Sequence, residues 1–361
     1  MSAAAQSPRV AVVGGGIIGL SIAWRLARGG ASVVLFERGA LAGEATNVAA
    51  GMLAPVSEAD PAESLLLELG LASVGRWPTF AAELEADADL PAGSVIDTTG
   101  TLLVGRDADE GRWLDREAAI RDAAQLETRR LTPREARALE PDLAPGLRGA
   151  LHVPGDLAVD PRAVAAALAT AARAHGAELR PQTPVAALDD PRLAGFARVV
   201  VSSGAWPVAG TAPMASTHPV KGQLMILRDP DHAAREEPIV RHVLRAQTVY
   251  CVPRGDGRYI VGATMEHRGE DRTVAAWAIH DLLRELFEVL PAAREFVLEE
   301  ALAGLRPATD SGDPLIGPAP GDPAGDDAWV LYAVGHYRNG ILLAPATADR
   351  IAALVLGRRE P

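Results

Sequence analysis

The chain has 361 residues, 48% of them hydrophobic and 23% charged, and its formal net charge is −12. These values are typical of a globular protein of about two domains that can bury a large core, and they exclude a mostly disordered chain. The acidic balance argues against nucleic acid and anionic membranes as partners.

The cysteine content and the N-terminal sequence bear on where the protein works. The only cysteine, Cys251, excludes an intrachain disulfide, a thiolate zinc cluster and a paired-cysteine redox motif, and we expect it to be a buried apolar filler. Residues 1–8 contain no apolar stretch typical of a signal peptide. The apolar run 10–27 contains four glycines and Arg25, so a buried strand, turn and helix explain it better than a membrane span. We therefore expect a cytoplasmic protein.

The first unit of the chain, residues 9–37, has the pattern strand, glycine-rich turn, helix, strand. Gly14, Gly16 and Gly19 stand in the spacing G-x-G-x-x-G after the first strand, and Glu37 ends the second. Such glycines permit a tight turn and a close approach of the backbone to a pyrophosphate, which a helix N-terminus also favours. The carboxylate of Glu37 can accept hydrogen bonds from ribose hydroxyls. The unit predicts a dinucleotide site, with a glycine-rich structural turn as the alternative, and its spacing does not distinguish NAD from FAD.

Beyond this unit, helical and strand patterns alternate along the chain. Residues 38–55 are mostly small and suit either a backbone beneath a flat ligand or an ordinary surface loop. Thr132 with Glu135 predicts a capping box, and Asp160 followed by proline predicts a helix start. Parallel-type strands at the start, near 200 and near 330 indicate a discontinuous α/β cofactor domain with a second, sheet-containing domain inserted. We expect helices over 62–86 with an interruption at Pro78, 110–124, 161–175, 274–290 and 341–356, and strands near 99–104, 198–201, 223–227, 248–252, 259–262 and 329–334.

Two arginines and a tyrosine are candidates for a second site. Arg306 and Arg338 lie in turns rich in Gly, Pro and Asn, each next to an apolar stretch. A guanidinium can pair bidentately with a carboxylate, so they form either an anion site or ordinary solvated surface. The hydroxyl of Tyr250 points either into a pocket or outward from a strand. A helix starting near Gly340 would direct its N-terminal dipole at a bound cofactor. The eight histidines show no metal-ligand spacing, so no metal is expected.

Seven short motifs, in order and spanning nearly the whole chain, carry a family resemblance. They are residues 14–19 with 37–38, 49–53, 220–222, 250–254, 262–265, 304–307 and 335–345. The last, GHYRNGILLAP, is specific, whereas the first is shared by very many flavoproteins. Together they resemble the FAD-dependent amine and amino-acid oxidases of the D-amino-acid oxidase superfamily, and within it the glycine oxidase family of thiamine thiazole biosynthesis.

The resemblance implies a set of site residues. FAD is expected to be noncovalent, because the cysteine that tethers flavin in related sarcosine oxidases is absent near the C-terminal motif. Arg306, Arg338 and Tyr250 would bind and orient the substrate carboxylate, and Met52 and Met265 would limit the pocket to small amines. The implied cofactor contacts are Gly14, Gly16, Ile17, Ile18, Gly19, Glu37, Arg38, Ala45, Thr46, Ala50, Gly51, Met52, Val185, His336, Tyr337, Arg338, Asn339, Gly340, Ile341 and Leu342.

The resemblance also implies a fold. It is α/β, with a discontinuous Rossmann-like FAD-binding domain and an inserted α+β substrate domain built on a mostly antiparallel sheet. Residues 1–85, 142–210 and 299–361 would form the first domain, and residues 86–141 and 211–298 the second.

The implied reaction is oxidation of glycine, and of sarcosine or other small amines, to the imino acid by hydride transfer to flavin N5, with oxygen reduced to hydrogen peroxide. The product would supply dehydroglycine for thiazole synthesis, and the assembly would be a homotetramer. A D-amino-acid or sarcosine-type oxidase or dehydrogenase, and a non-catalytic flavin-binding subunit of an amine-oxidising complex, remain the alternatives. No side chain is an obvious general base, so water is expected to take the ammonium proton.

Overall fold

A computed structural model describes residues 7–60 and 63–358 of the chain. The helices are α1 (Ile17–Arg28), α2 (Ala45–Val48), α3 (Ser64–Asp87), α4 (Ala108–Ala123), α5 (Pro133–Leu139), α6 (Pro161–Ala174), α7 (Ala276–Val289) and α8 (Ala344–Leu356). The strands are β1 (Arg9–Val13), β2 (Ser32–Phe36), β3 (Met52–Leu53), β4 (Ile96–Asp97), β5 (Thr101–Gly105), β6 (Arg129–Leu131), β7 (Gly149–Val153), β8 (Leu157–Val159), β9 (Glu178–Arg180), β10 (Arg198–Val201), β11 (His218–Arg228), β12 (Val243–Arg245), β13 (Tyr250–Pro253), β14 (Arg258–Gly262), β15 (Val297–Ala308), β16 (Leu315–Gly317) and β17 (Val330–Val334).

A six-stranded sheet in the order β16-β17-β10-β1-β2-β9 forms the Rossmann-like part of the molecule. All of its pairs are parallel except β16–β17. Its strands β1, β2, β10 and β17 are apolar on both faces, since helices cover one face and loops carrying Phe196 and Val208 cover the other. On the helical face, the rings of Trp24 and Trp77 meet the edge of Phe80 at centroid distances of 5.0 and 5.2 Å.

The second large sheet has eight strands, in the order β15-β11-β14-β13-β12-β5-β7-β6. Its pairs are antiparallel except β12–β5. Leu282 and Leu286 of α7 pack on this sheet against Met225 and Val261, and the buried Cys251 belongs to the same core, as expected. A small sheet, β3-β8-β4, is separate. The α/β fold, with a Rossmann-like sheet and a mostly antiparallel one, is therefore confirmed.

Helix α3 differs from its prediction, because it runs through Pro78 without interruption. Proline removes one backbone donor, but the neighbouring Trp77 is fully buried and donates from Nε1 to the carbonyl oxygen of Leu342 at 3.0 Å. The burial of this helix face therefore outweighs the loss of one backbone hydrogen bond at Pro78. No helix in the described ranges is long and apolar enough to cross a membrane.

The capping residues predicted the starts of α5 and α6 correctly, whereas the predicted start of α8 near Gly340 differs from the structure. Thr132 forms the predicted capping box of α5, and Asp160 accepts from the backbone N–H groups at the start of α6. Helix α8 begins at Ala344, not near Gly340, since residues 337–339 form a 3₁₀ turn and Pro345 occupies the first helical turn. The predicted start of this helix near Gly340 is therefore wrong, while the direction of its N-terminus toward a bound cofactor stays a prediction.

Candidate active site

At Gly14 and Gly19 the backbone around the turn between β1 and α1 is packed too closely for a side chain. Gly14 has a φ of +113°, and a Cβ there would lie 2.3 Å from the carbonyl oxygen of Ser202. A Cβ on Gly19 would lie 1.9 Å from the carbonyl oxygen of Gly14. The turn thus brings the backbone and the first N–H groups of α1 to the surface of a cavity, as phosphate binding requires.

The carboxylate of Glu37 is fixed at the end of β2. Its Oε2 accepts from the N–H of Gly15 at 2.7 Å, and its Oε1 accepts from the N–H of Gly39 at 2.7 Å. Each oxygen keeps a lone pair for a further donor, so a vicinal diol can still be bound. The hydroxyl of Thr46 lies beside the same turn, where it accepts from the N–H of Ile17 at 3.0 Å.

A cavity of about 370 Å³ extends from this turn to the eight-stranded sheet. Its volume falls within the range of roughly 300–1,000 Å³ that is usual for ligand pockets. Most of the predicted site residues line it: Gly14, Gly16, Ile17, Ile18, Glu37, Arg38, Ala45, Thr46, Ala50, Gly51, Met52, Tyr250, Met265, Arg306, His336, Tyr337, Arg338, Gly340 and Ile341. Gly19, Val185, Asn339 and Leu342 are described by the structure but lie outside this lining.

Arg306 and Tyr250 face the same part of the cavity. The guanidinium of Arg306 lies against Gly222, where a Cβ would come within 2.4 Å of its Nη2, and its Nη1 donates to the carbonyl oxygen of Thr264 at 3.1 Å. The Tyr250 hydroxyl lies against Gly262 of the neighbouring strand. Burial raises the pKa of Tyr250 to about 12, although the nearby charge of Arg306 acts in the opposite direction. The pair therefore offers a cation and a protonated hydroxyl to an anionic ligand.

Arg338 lies in a different environment from Arg306. Its Nη2 is 2.7 Å from Oε2 of Glu63, and the two side chains are 37% and 38% exposed. Met265 is 67% exposed and its sulfur accepts from the Tyr337 hydroxyl at 3.0 Å. The structure thus gives Arg338 a carboxylate partner, whereas it records none for Arg306 among the described residues.

His336 is buried beside the cavity and held by the last helix. Its Nε2 is 2.9 Å from the hydroxyl oxygen of Thr347 on α8. Burial lowers the pKa of His336 to about 4, so the ring is neutral near pH 7.

Several cavity residues were missed by the sequence reasoning. Glu58 and Arg245 line the cavity with their charged groups 3.9 Å apart, and Arg245 also donates to the carbonyl oxygen of Ser57. Trp206 lines it beside Arg38. Of these residues, only Arg245 could have been predicted to line the cavity. It precedes Tyr250 by five residues and pairs with it across β12 and β13.

The residues present fit FAD. A side-chain-free turn, a carboxylate able to bind a diol and a continuous cavity ending at Arg306 match a dinucleotide whose ring lies beside an anion-binding group. Together with the fold, these features define a dinucleotide-dependent oxidoreductase.

Comparison with known proteins identifies the family. Residues 9–354 match the family model described as FAD dependent oxidoreductase, and the chain belongs to that family, the D-amino-acid oxidase superfamily. It is 33% identical to a glycine oxidase of Bacillus licheniformis over 96% of this chain and 92% of that protein. It is also 33% identical to a protein of Rhizobium etli named putative thiamine biosynthesis oxidoreductase, over 96% of each. The crystal structure of glycine oxidase from Geobacillus kaustophilus superposes with a TM-score of 0.84 at 32% identity, covering 98% of this chain and 96% of that one. The chain is therefore an FAD-dependent enzyme, as the resemblance implied.

Proposed function

We propose that this chain oxidises glycine, and also sarcosine or other small amines, to the imino acid, with noncovalent FAD as cofactor and oxygen as the electron acceptor. The observation that carries the proposal is the Arg306 guanidinium, which lines the cavity without a carboxylate partner among the described residues and lies beside the protonated Tyr250. The names of the similar proteins support glycine as the substrate.

The residues divide the work of holding and orienting the substrate. When bound, FAD would supply the redox chemistry, namely acceptance of a hydride from the substrate Cα–H and reduction of oxygen to hydrogen peroxide. Arg306 holds the substrate carboxylate by a bidentate pair, and Tyr250 donates a hydrogen bond to the same group. Fixing the carboxylate sets the position of the Cα–H, which contributes to the rate through orientation. Arg338 supplies a second cation at the cavity.

FAD itself would be held by the residues that line the cavity. The N–H groups of the glycine-rich turn would bind the pyrophosphate, and Glu37 would bind the adenosine ribose. Ala45, Thr46, Ala50 and Gly51 would lie against the flavin, while Met52 and Met265 limit the space left for substrate. The remaining cofactor contacts are those implied by the resemblance, including Val185, His336, Asn339 and Leu342.

The proton of the substrate ammonium group is left to water. Tyr250 keeps its proton up to a pKa of about 12, and His336 is neutral with its Nε2 engaged by Thr347. Glu58 lines the cavity, but its carboxylate lies beside the Arg245 guanidinium. Tyr250 and His336 are therefore unsuited to act as general bases near neutral pH.

We also infer the division of the chain into two domains. Segments 1–85, 142–210 and 299–361 contain all strands of the six-stranded sheet, which supports their assignment to FAD binding. Segments 86–141 and 211–298 contain β5, β6 and β11 to β14 of the eight-stranded sheet. Strand β15 begins at Val297 and continues into segment 299–361, and β7 comes from segment 142–210.

A homotetrameric assembly, a cytoplasmic location and the supply of dehydroglycine for thiamine thiazole synthesis complete the proposal.

Anaerobic titration of the purified, FAD-loaded protein with glycine tests the proposal. Loss of the oxidised flavin absorbance is expected, and admission of oxygen should restore it with one peroxide per glycine. Sarcosine and D-alanine, tested in the same way, identify the preferred amine. A protein that binds FAD but is bleached by none of these amines would instead be a non-catalytic flavin-binding subunit.

A further inference from the structure

The connection between β14 and α7, residues 263–275, reaches from the eight-stranded sheet to the Rossmann-like part. At its far end, Nη1 of Arg272 is 3.0 Å from Oε2 of Glu44, and its Cζ is 4.9 Å from the ring centroid of Trp206. Glu44 immediately precedes α2, and Trp206 follows β10. Arg272 thus contacts Glu44 and Trp206, which both line the cavity.

Arg38 completes this arrangement from the Rossmann-like side. Its Cζ is 3.5 Å from the centroid of the same Trp206 ring, and its Nη2 is 2.6 Å from Oε1 of Glu44. One indole and one carboxylate are therefore shared by two guanidinium groups. We call Arg38, Glu44, Trp206 and Arg272 the clasp.

The connection that carries Arg272 is anchored beneath the surface. Lys221 is 1% exposed, and its Nζ donates to Oδ2 of Asp271 at 2.7 Å. The backbone N–H and C=O groups of Lys221 and Glu266 exchange two hydrogen bonds of 2.9 Å. A buried ammonium without a carboxylate would be costly, so this ion pair holds residue 271, and with it Arg272, in one place.

The clasp lies at the end of the cavity next to Glu37. Arg38 directly follows Glu37, and Arg38, Glu44 and Trp206 all line the cavity. Arg272 does not itself line the cavity, but the connection that carries it begins with the cavity residues Ala263, Thr264 and Met265, so its contacts join that part of the cavity to Glu44 and Trp206. The rest of the clasp stays within the Rossmann-like part.

We propose that Arg272 closes the cavity over the adenosine end of FAD, and that the clasp limits the rate at which FAD leaves the protein. This inference rests on FAD occupying the cavity, as in the proposed function. Arg272 is 43% exposed, so its ion pair and its contact with Trp206 are each of modest strength. Their joint loss is expected to accelerate FAD release by about five- to tenfold.

The test compares FAD release from the wild type with release from Arg272→Ala. Holoprotein is diluted, and the rise in fluorescence of free flavin gives the rate constant. Arg268→Ala is the matched control, because Arg268 lies on the same connection, is 61% exposed and pairs only with Glu266, at 3.3 Å, among the contacts recorded. Arg272→Ala should release FAD about five- to tenfold faster than the wild type, and Arg268→Ala at the wild-type rate. Arg272→Lys, which keeps the charge but not the planar group, should be intermediate.

Salt provides a second readout that does not depend on a substitution. Raising NaCl from about 0.01 M to about 1 M shortens the Debye length from roughly 30 Å to 3 Å. Release from the wild type should then approach the rate of Arg272→Ala, whose own rate should change less. Equal release rates for the wild type and Arg272→Ala at low salt, with both proteins folded by circular dichroism, would overturn the proposal. A wild type that never retains FAD would instead refute the proposed function.

Discussion

Removal of the Arg306 guanidinium should weaken substrate binding much more than removal of the Arg338 guanidinium. Arg306 is partly buried, lies flat on Gly222 and commits only one recorded N–H, to the carbonyl oxygen of Thr264. Its remaining donors are enough for a bidentate pair with a carboxylate. Charge-assisted hydrogen bonds contribute about 1.5–3 kcal/mol each, and the two bonds of such a pair overlap in effect. We therefore expect Arg306→Ala to lose about 3 kcal/mol, or roughly 100-fold in apparent affinity for glycine.

Arg338→Ala is the matched comparison. Arg338 is 37% exposed and already paired with Glu63, so a substrate carboxylate would have to compete for it. Its truncation should raise the apparent dissociation constant by less than tenfold. Arg306→Lys, which retains the charge without the fork, should fall between the two alanine variants.

Anaerobic reduction of the flavin at increasing glycine concentrations measures these effects. The concentration at half-maximal rate reports affinity, while the limiting rate reports orientation in the bound complex. Flavin content and circular dichroism show that each variant is folded and loaded. Half-saturation of Arg306→Ala within threefold of the wild type would refute the assignment of Arg306 as the carboxylate anchor.

Three further predictions concern packing and pH. Gly222→Ala should weaken glycine binding as Arg306→Ala does, because the new Cβ would displace the guanidinium, whereas Gly75→Ala on α3, where a Cβ meets nothing within 4 Å, should not. For glycine, kcat/KM should climb through alkaline pH as the free amine forms, with no inflection from Tyr250 below its pKa of about 12; a flat profile from about pH 6 to 10 would contradict this. The neutral ring of His336 stabilises the folded state fully above its unfolded pKa of 6.5, and this contribution is lost as the pH falls toward its folded pKa of about 4. Over that interval, the free energy of unfolding measured in urea should fall by about 3 kcal/mol less for His336→Gln than for the wild type. Thr347→Val keeps the titrating ring, so its free energy of unfolding should fall as much as that of the wild type.

Local sequence was sufficient for the elements whose conformation depends on neighbours in the chain. The turn at Gly14 requires a positive φ and has no space for a Cβ, so its glycines follow from its geometry. The caps at Thr132 and Asp160 bind backbone groups within three residues, and both predictions are confirmed. The outcome at Pro78 depended on contacts of its helix with a residue more than 250 positions away, which no local pattern encodes.

The same distinction applies to the candidate site. Arg306 and Tyr250 could be selected from their sequence motifs, and the structure brings both to one cavity. The prediction that Arg306 lies in a turn is wrong, because it lies within β15 and pairs with Val220 of β11. The pairing of Arg338 with Glu63 joins residues 275 positions apart, and that of Arg245 with Ser57 joins residues 188 apart. Such contacts arise from the crossing of chain segments in three dimensions, so a single sequence gives no sign of them. The roles of these residues toward substrate remain predictions.

The walls of the cavity are drawn from residue 14 through residue 341. Ribosomal synthesis therefore completes the compartment only after β17 and the turn at 337–339 have emerged. A chain interrupted before that point lacks one wall and cannot enclose an isoalloxazine, however well its first βαβ unit folds. Yellow colour retained after gel filtration is thus a measure of chains that extend past residue 341 and are correctly folded, and its ratio to total protein gives the fraction of molecules that bind the cofactor.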